Sequence, residues 1–581
     1  MEAYATGIEP MLVEVGEPRK ILAYGTAGFR DKYDLPLDYV FLRMGVLAVL
    51  RSLSKHSKCV GTVITASHNA EIDNGLKLVD PNGGMLSQSW EPYAVTLANC
   101  SNASFLDECK KIVKSESLII PEIAVAAMVM VGRDTRPHSV PFTELIKRSV
   151  GAMGGTCLDL GEVTTPILHF VVREINRIQG KPESSLTFDA RRLKNIYFQT
   201  MTDGYVKLVN TCSANTISGT VFKKVENIIL DASYGVGSVA VEQFSAYYNE
   251  QKRILEEGSS SSSRANPAGT ASMPVLSIDI RNVARTGHVN EGCGAEHAQK
   301  LQQPPLGVSS SADNDQLMCS FDGDGDRIVF HAFLDREWIL LDGDKIAALM
   351  TTMIQQELSA AGLLGQFTFA VVQTAYANGA SSQYISSLGV PIHITKTGVK
   401  YLHHKAQEFD IGIYFEANGH GTILFSESFC QTVHSYEPSS DPAQFRRNTA
   451  YLRLQASTTL INPAVGDALS DMLYCMAALQ VLGIDLPGWH TMYTDLPSKQ
   501  QKVAVPDKSL VSCSADETTI LQPLQMQADL NAAMKRVSNG RCFVRPSGTE
   551  DVVRIYAEAT TRQEADQLAT YTYDVIRKHL G

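Results

Sequence analysis

Short apolar runs of strand length recur along the chain, each followed by a glycine-bearing or polar turn and then a helical pattern. The clearest lie at 60–64, 123–131, 227–230, 327–333, 367–372 and 411–415. Strand-length runs alternating with helix-length patterns predict an α/β protein built on mixed or parallel sheets. Two polar stretches interrupt this order. Residues 256–271 hold five consecutive serines, 259–263, among Gly, Asn and Pro, and 302–315 are rich in Pro, Ser and Asp. Both read as flexible surface insertions, which cost little because loop-closure entropy grows only logarithmically with length. No short-period repeat is visible.

At 581 residues the chain exceeds what one hydrophobic core can organise, and its size predicts three to five domains. The motifs below fall about one per quarter, which narrows this to four: 1–195, 196–338, 339–465 and 466–581. With 44% hydrophobic and 19% charged residues the composition is that of an ordinary globular protein. A net charge of -11 excludes a general nucleic-acid binder, which needs a basic face. An acidic chain that handles an anionic substrate must gather its cations in one cleft. The 11 cysteines form no C-x-x-C pair, the first residues show no signal-peptide pattern, and no apolar run nears the ~20 residues of a membrane span. The expectation is a cytoplasmic protein with no membrane partner, in which the triplet Asn102-Ala103-Ser104 is not glycosylated.

Four loops carry chemistry. Thr65-Ala66-Ser67-His68-Asn69 follows the 60–64 run and precedes Asp73-Asn74-Gly75-Leu76-Lys77. A serine at a strand end is exposed enough to act as a nucleophile, given an adjacent base or cation. Taken alone, a Ser/Asn turn is the ordinary reading. Ser320-Phe321-Asp322-Gly323-Asp324-Gly325-Asp326-Arg327 is more specific. Alternate aspartates separated by glycines turn three carboxylates to one point, a hard-oxygen site suited to Mg²⁺. An EF-hand is excluded, because its sixth position is Arg327 rather than Gly and its twelfth Phe333 rather than Glu.

The third loop, Glu416-Ala417-Asn418-Gly419-His420-Gly421, follows the 411–415 run. Its Glu and Asn suit vicinal hydroxyls, and its His suits proton transfer. The fourth, Arg545-Pro546-Ser547-Gly548-Thr549-Glu550 with Arg554 beyond it, supplies a guanidinium fork, hydroxyls and open amides for a phosphate dianion, and also suits a capped helix start. Arg30, and the pair Arg133 and Arg136, are cationic loop residues of the kind that more often make surface ion pairs. Gly235-Val236-Gly237 after the 227–230 run matches the loose dinucleotide fingerprint but reads as a tight strand-to-helix turn.

In this order, the four loops resemble those of the α-D-phosphohexomutase superfamily over nearly the whole chain. Within it, residues 73–81, 396–406 and 414–422 look like the branch acting on N-acetylglucosamine phosphates. The resemblance implies three related mixed α/β domains and a C-terminal α+β domain around a central cleft. It implies a phosphomutase that converts N-acetylglucosamine 6-phosphate to the 1-phosphate, on the route to UDP-N-acetylglucosamine, through a hexose 1,6-bisphosphate. Ser67 would be the phosphoserine, and Asp322, Asp324 and Asp326 would hold one Mg²⁺ together with it. Glu416, Ala417 and Asn418 would meet the sugar, with the Asn418 amide serving an N-acetyl group. Arg545, Pro546, Ser547, Gly548, Thr549 and Arg554 would hold the distal phosphate. Arg30 and Lys77 would neutralise the reacting one. Ala70 and Val399 stand where many relatives carry Pro and His, so His68, Lys77 and His420 are all candidates for the acid/base. Other readings are a phosphoglucomutase or phosphomannomutase of the same superfamily, a metal-dependent sugar phosphatase, and an inactive binding paralogue. The expected partner is a small phosphosugar, and the expected state monomer or dimer.

Overall fold

Apolar runs become strands nearly where the pattern places them, in a computed structural model that describes residues 1–25, 28–32, 37–119, 127–179, 189–214, 226–261, 273–547 and 551–581. Val60–Ile64 and Ile411–Phe415 match their runs, and Asn227–Asp231, Ile328–Leu334 and Phe369–Thr374 differ by one or two residues at an end. The 123–131 run yields Met128–Arg133, its first residues lying outside the described ones. The described residues form two compact units: one of 1–214, 226–340 and 456–477, the other of 341–455 and 478–581.

The first unit holds two five-stranded mixed sheets. One is ordered Phe29–Lys32, Asp73–Val79, Val60–Ile64, Met128–Arg133, Thr156–Glu162. Val60–Ile64 runs parallel to Met128–Arg133 and antiparallel to Asp73–Val79, so residues 65–72 form the turn of a hairpin. Helix Asp38–Ser54, wholly buried from Tyr39 to Ser52, supplies much of its core. The buried Arg43 in that helix donates to the carbonyls of Leu97 and Cys100 and to Asn102 Oδ1 at 2.7–2.8 Å. Asn102 also donates to the Leu12 carbonyl at 2.9 Å, so both ends of its side-chain amide are in use. The second sheet is ordered Glu337–Leu341, Ile328–Leu334, Met318–Phe321, Asn227–Asp231, Ser277–Arg281, and the aspartate loop is the turn of its hairpin 318–334.

The Gly235 turn leads straight into helix Val236–Ser261, as a strand-to-helix turn should. That helix occupies the first residues of the serine-rich stretch read as irregular, because Glu and Ser side chains tolerate a helix that is already nucleated; residues 262–271 lie outside the described ones. Stretch 302–315 contains no helix or strand beyond an isolated bridge from Asn314 to Phe333, yet it is anchored, with Asp313 accepting from both terminal nitrogens of Arg281 at 2.8 and 2.9 Å. Segment 456–477, remote in sequence, packs within this unit: Tyr197 and Asn462 both donate to Asp467 at 2.8 Å, and the Ala468 amide donates to the Gly325 carbonyl at 3.1 Å.

In the second unit, a four-stranded sheet runs Ile392–Thr395, Phe369–Thr374, Ile411–Phe415, Gly421–Phe425, and a three-stranded one Ser498–Ala504, Val552–Glu558, Arg541–Pro546. Arg541 joins them, donating to the carbonyls of Ala375 and Ala377 at 2.8 and 2.6 Å while paired with Glu558. The limits expected at 195 and 338 fall inside helix Ala190–Asn210 and strand Glu337–Leu341. Among the described residues no helix is long and apolar enough to cross a membrane.

Gly235 is fixed by close approach: a Cβ there would stand 2.5 Å from the Gly323 carbonyl oxygen and 2.7 Å from its Cα. Both are backbone atoms and cannot swing aside. Gly235→Ala is expected to destabilise the first unit by about 1–3 kcal/mol, read as a lowered Tm in thermal unfolding; an unchanged Tm would contradict that packing.

Candidate active site

Two hairpin turns of the first unit meet at Ser67. Its Oγ donates to Asp322 Oδ2 at 2.9 Å, and the residue is 1% exposed. Ser67 takes the left-handed backbone conformation, φ 52°, with its amide donating to Thr65 Oγ1 at 2.8 Å. Such a conformation costs about 1–2 kcal/mol outside glycine, so surrounding contacts must impose it. Gly323 permits the approach: a Cβ on it would lie 2.7 Å from the Ser67 carbonyl oxygen.

Asp322, Asp324 and Asp326 are all buried, and one carboxylate oxygen of each lies within 4.8 Å of the others. Burial first, then the neighbouring Asp324 and Asp326, push Asp322 well above the usual carboxylate range. Its Oδ1 accepts the amides of Asp326 and Arg327 at 3.1 and 3.2 Å. Asp324 moves the other way. Burial and Asp326 act to raise it, but Lys77, with Thr165, lowers it on balance. Lys77, 8% exposed, donates to Asp324 Oδ2 and Asp326 Oδ2, each at 2.7 Å, and Thr165 Oγ1 donates to Asp324 Oδ2 at 2.6 Å. Burial alone would depress the Lys77 pKa; the two carboxylates raise it, so the side chain is a locked ammonium. The second oxygen of Asp324 is buried with no hydrogen-bond partner. A buried, unpartnered carboxylate oxygen beside two more carboxylates fits a hard divalent cation such as Mg²⁺.

His68 Nδ1 lies 3.5 Å from Ser67 Oγ, and its Nε2 3.7 Å from Glu296. Burial first, then Arg327 and Arg30, hold the ring far below its ordinary pKa, so it is neutral and its protonated form is disfavoured. Glu296 also takes Arg327 Nη1 at 2.7 Å. Arg30 donates to Asn69 Oδ1 at 3.3 Å; burial and then Arg327 lower its pKa, and the three aspartates oppose them.

Arg136 departs from its expected place in a surface ion pair. It is 2% exposed, pairs with Asp134, and donates to the Ser67 and Asn69 carbonyls at 3.2 and 2.6 Å. Asn290 donates to the same two carbonyls at 2.9 and 2.8 Å. Neither it nor Thr165 carried a sequence signal, since each arrives from a remote segment. Arg133 does make an ordinary half-exposed pair with Asp159, at 3.2 Å.

Glu416–His420 is the turn between Ile411–Phe415 and Gly421–Phe425. Its backbone closes on itself, with Glu416 N to His420 O at 3.0 Å and Gly419 N to Glu416 O at 2.9 Å. Asn418 Oδ1 accepts the His420 amide at 3.0 Å, while its Nδ2 stands 3.4 Å from Glu416 Oε2. Glu416, Ala417, Asn418 and His420 are half-buried, presenting polar groups at the sheet's end.

Arg545 and Pro546 end strand Arg541–Pro546, and the Ser547 amide donates to the Val552 carbonyl at 2.9 Å. Gly548 and Thr549 lie outside the described residues. Arg545 Nε donates to Tyr376 OH at 3.1 Å, its guanidinium is 5.4 Å from that ring's centroid, and Glu517 lies 3.6 Å away. Glu517 is itself held by the Thr397 amide and hydroxyl at 3.0 and 2.7 Å. Across the sheet Arg545 faces Arg554, and Arg554 faces Lys502. Directly opposed residues share a face, so three cations stand in a row, with Val503, Val544 and Val553 turned to the helical core on the other side. Like charges side by side destabilise a sheet unless an anion joins them. Sequence reading missed Lys502, although its alternation with Val503 in a strand beside Arg554 is a usable signal.

Known proteins carry the same parts. Residues 38–95 and 110–180 match the model for phosphoglucomutase/phosphomannomutase alpha/beta/alpha domain I, and 502–575 that for the C-terminal domain. Residues 342–484 match that for phosphoacetylglucosamine mutase AMG1, domain III. A phosphoacetylglucosamine mutase of Arabidopsis thaliana is 40% identical over 572 residues, 96% of each chain. The crystal structure of Aspergillus fumigatus N-acetylphosphoglucosamine mutase with GlcNAc-6P and magnesium superposes with a TM-score of 0.84 at 35% identity, covering 100% of this chain and 99% of that one. A serine-to-alanine variant of the A. fumigatus enzyme with glucose 1,6-bisphosphate gives 0.83 at 36%, over 100% and 99%.

Lys502→Met is expected to weaken binding of inorganic phosphate about fivefold, on the order of the 1 kcal/mol of one exposed ion pair, by calorimetry. Equal affinity in the variant would remove Lys502 from the anion-binding row.

Proposed function

This chain belongs to the phosphoacetylglucosamine mutase branch of the α-D-phosphohexomutase superfamily, and we propose that the residues described above perform that branch's reaction in the following roles. The protein is a phosphomutase that interconverts N-acetylglucosamine 6-phosphate and N-acetylglucosamine 1-phosphate, with Mg²⁺ and by way of a hexose 1,6-bisphosphate. The observation that carries the assignment of roles is the 2.9 Å contact between Ser67 Oγ and the buried carboxylate cluster that Lys77 bridges.

Ser67, phosphorylated, donates its phosphoryl group to the free hydroxyl of the sugar. The P–Oγ bond breaks, a P–O bond to the sugar forms, and the hydroxyl proton leaves to a base. Lys77, locked as an ammonium, serves to neutralise charge rather than to take that proton; His68, whose buried setting disfavours its protonated form, is the weaker candidate and His420 on the sugar-binding turn the other. Asp322, Asp324 and Asp326, with an oxygen of the phosphoserine, would hold Mg²⁺, which when bound offsets charge on the phosphoryl oxygens. Lys77 and Arg30 add to that offset from the protein side.

Glu416 and Asn418 bind sugar hydroxyls, and the Asn418 side-chain amide suits an N-acetyl group. Arg545, Ser547 and Arg554, with Gly548 and Thr549, hold the phosphate that is not reacting. Tyr376 and Glu517 fix the Arg545 fork in position, which suits a site that must grip the 6-phosphate and 1-phosphate in turn. The bisphosphate then returns its other phosphoryl group to Ser67, which restores the phosphoserine. We place the protein in the cytoplasm, as a reducing compartment suits eleven free cysteines, five of them half-buried.

Incubation with N-acetylglucosamine 6-phosphate, Mg²⁺ and a trace of glucose 1,6-bisphosphate is expected to yield the 1-phosphate. Release of free phosphate instead would mark a phosphatase. Ser67→Ala is expected to lose at least ~10³-fold in kcat, removal of a nucleophile leaving only binding. Asp324→Asn is expected to raise the Mg²⁺ concentration for half-maximal rate on the order of tenfold; a titration identical to the native one would refute the ligand role.

A further inference from the structure

The backbone of the nucleophile is gripped from two directions by side chains outside the four motif loops. Arg136 comes from the segment after strand Met128–Arg133, Asn290 from the segment after strand Ser277–Arg281 of the other sheet. Each donates to both the Ser67 and the Asn69 carbonyls through a single nitrogen, Nη2 of Arg136 and Nδ2 of Asn290. Both donors are anchored in turn. Asp134 pairs with Arg136 Nη1, takes its amide at 3.1 Å and accepts Ser139 Oγ at 2.7 Å. Asn290 Oδ1 accepts Ser233 Oγ at 2.7 Å, and its amide donates to the Ser233 carbonyl at 2.9 Å.

We propose that Arg136 and Asn290 are positioning residues that clamp the Ser67 turn in its left-handed conformation, and so hold Oγ in line for phosphoryl transfer. The proposal rests on Ser67 being the phosphoryl carrier. Left to itself a serine at φ 52° relaxes to the right-handed or extended region, and the peptide rotation moves Oγ off Asp322. The two carbonyls together present four acceptor positions to one guanidinium and one amide. Relaxation would strand the buried Arg136 guanidinium and the half-buried Asn290 amide, which together cost more than the strain it relieves. The clamp therefore decides the conformation. Its donors go to the backbone of the Ser67 turn, so its loss is expected to act on transfer rather than on substrate binding.

The test uses the full chain with Asn290→Ala, Arg136→Lys and the double variant. Phosphorylation of Ser67 by glucose 1,6-bisphosphate and Mg²⁺ is followed by mass spectrometry, and kcat and KM are measured separately. Native protein that acquires no phosphate on Ser67 would defeat the functional assignment rather than the clamp. Given native phosphorylation, Asn290→Ala is expected to slow phosphorylation and lower kcat about 10–100-fold with KM within about twofold, as small misplacements of a reacting atom do. Because both donors serve the same two carbonyls, losses in the double variant are expected to be non-additive in log kcat. Arg136 lies in the core, so Asn290→Ala, half-exposed at its site, keeps the question open should Arg136→Lys fail to fold. An Asn290→Ala protein that is phosphorylated at the native rate with native kcat overturns the proposal, as does one whose KM rises while kcat holds.

Discussion

Mutual repulsion among three buried carboxylates is the constraint around which the first unit is arranged. Asp322, Asp324 and Asp326 sit in a setting where one ionised carboxylate is costly and three together are untenable without compensation. The fold supplies part of it through the Lys77 ammonium, the Thr165 hydroxyl, two amides on Asp322 and the Ser67 hydroxyl. What remains is one carboxylate oxygen without a partner, and that deficit defines the place of a divalent cation. The same deficit accords with the role proposed for Ser67, whose Oγ meets the cluster. A phosphate on that serine would bring still more negative charge, tolerable only beside a bound metal, Lys77 and Arg30.

A second regularity concerns where function is carried. Three of the motif loops are turns of antiparallel hairpins, 65–72, 322–327 and 416–420, and the fourth begins where strand Arg541–Pro546, paired antiparallel with Val552–Glu558, ends. A hairpin turn exposes backbone and short polar side chains at a sheet's end, while the paired strands hold the turn rigid. The strand beside the turn also contributes at a fixed register. Lys77 stands in the strand after the serine turn, and Arg545 and Arg554 face each other across the phosphate turn. The chemistry of each loop is thus split between the loop itself and the strand that flanks it.

How much of this was legible in the sequence follows from range. The spacing of the aspartates, the serine turn and the Arg-Pro-Ser-Gly run are local patterns, and local patterns survive without a structure. Strands Val60–Ile64 and Ile411–Phe415 were legible for the same reason, being unbroken apolar runs. The rest was hidden by distance. Arg136 looked like a surface cation because its acceptors are carbonyls 66–69 residues away, and carbonyls leave no sequence signature. Asn290, Thr165 and segment 456–477 are brought in by topology alone. Lys502 failed for another reason: its meaning lies in a register with Arg554 that only the paired strands reveal.

Segment 456–477 also has a bearing on how the protein is made. The first unit needs that segment, which supports the Gly325 carbonyl and the buried Asp467 cluster, yet residues 341–455 intervene. During synthesis the amino-terminal sheets are complete long before their last helical buttress leaves the ribosome. At ~5–20 residues per second, the 137 residues from 341 to 477 take about 7–27 s. For that interval the nascent chain carries the Ser67 and aspartate turns with part of their backing missing, so the arrangement proposed for phosphoryl transfer is complete only once most of the polypeptide exists.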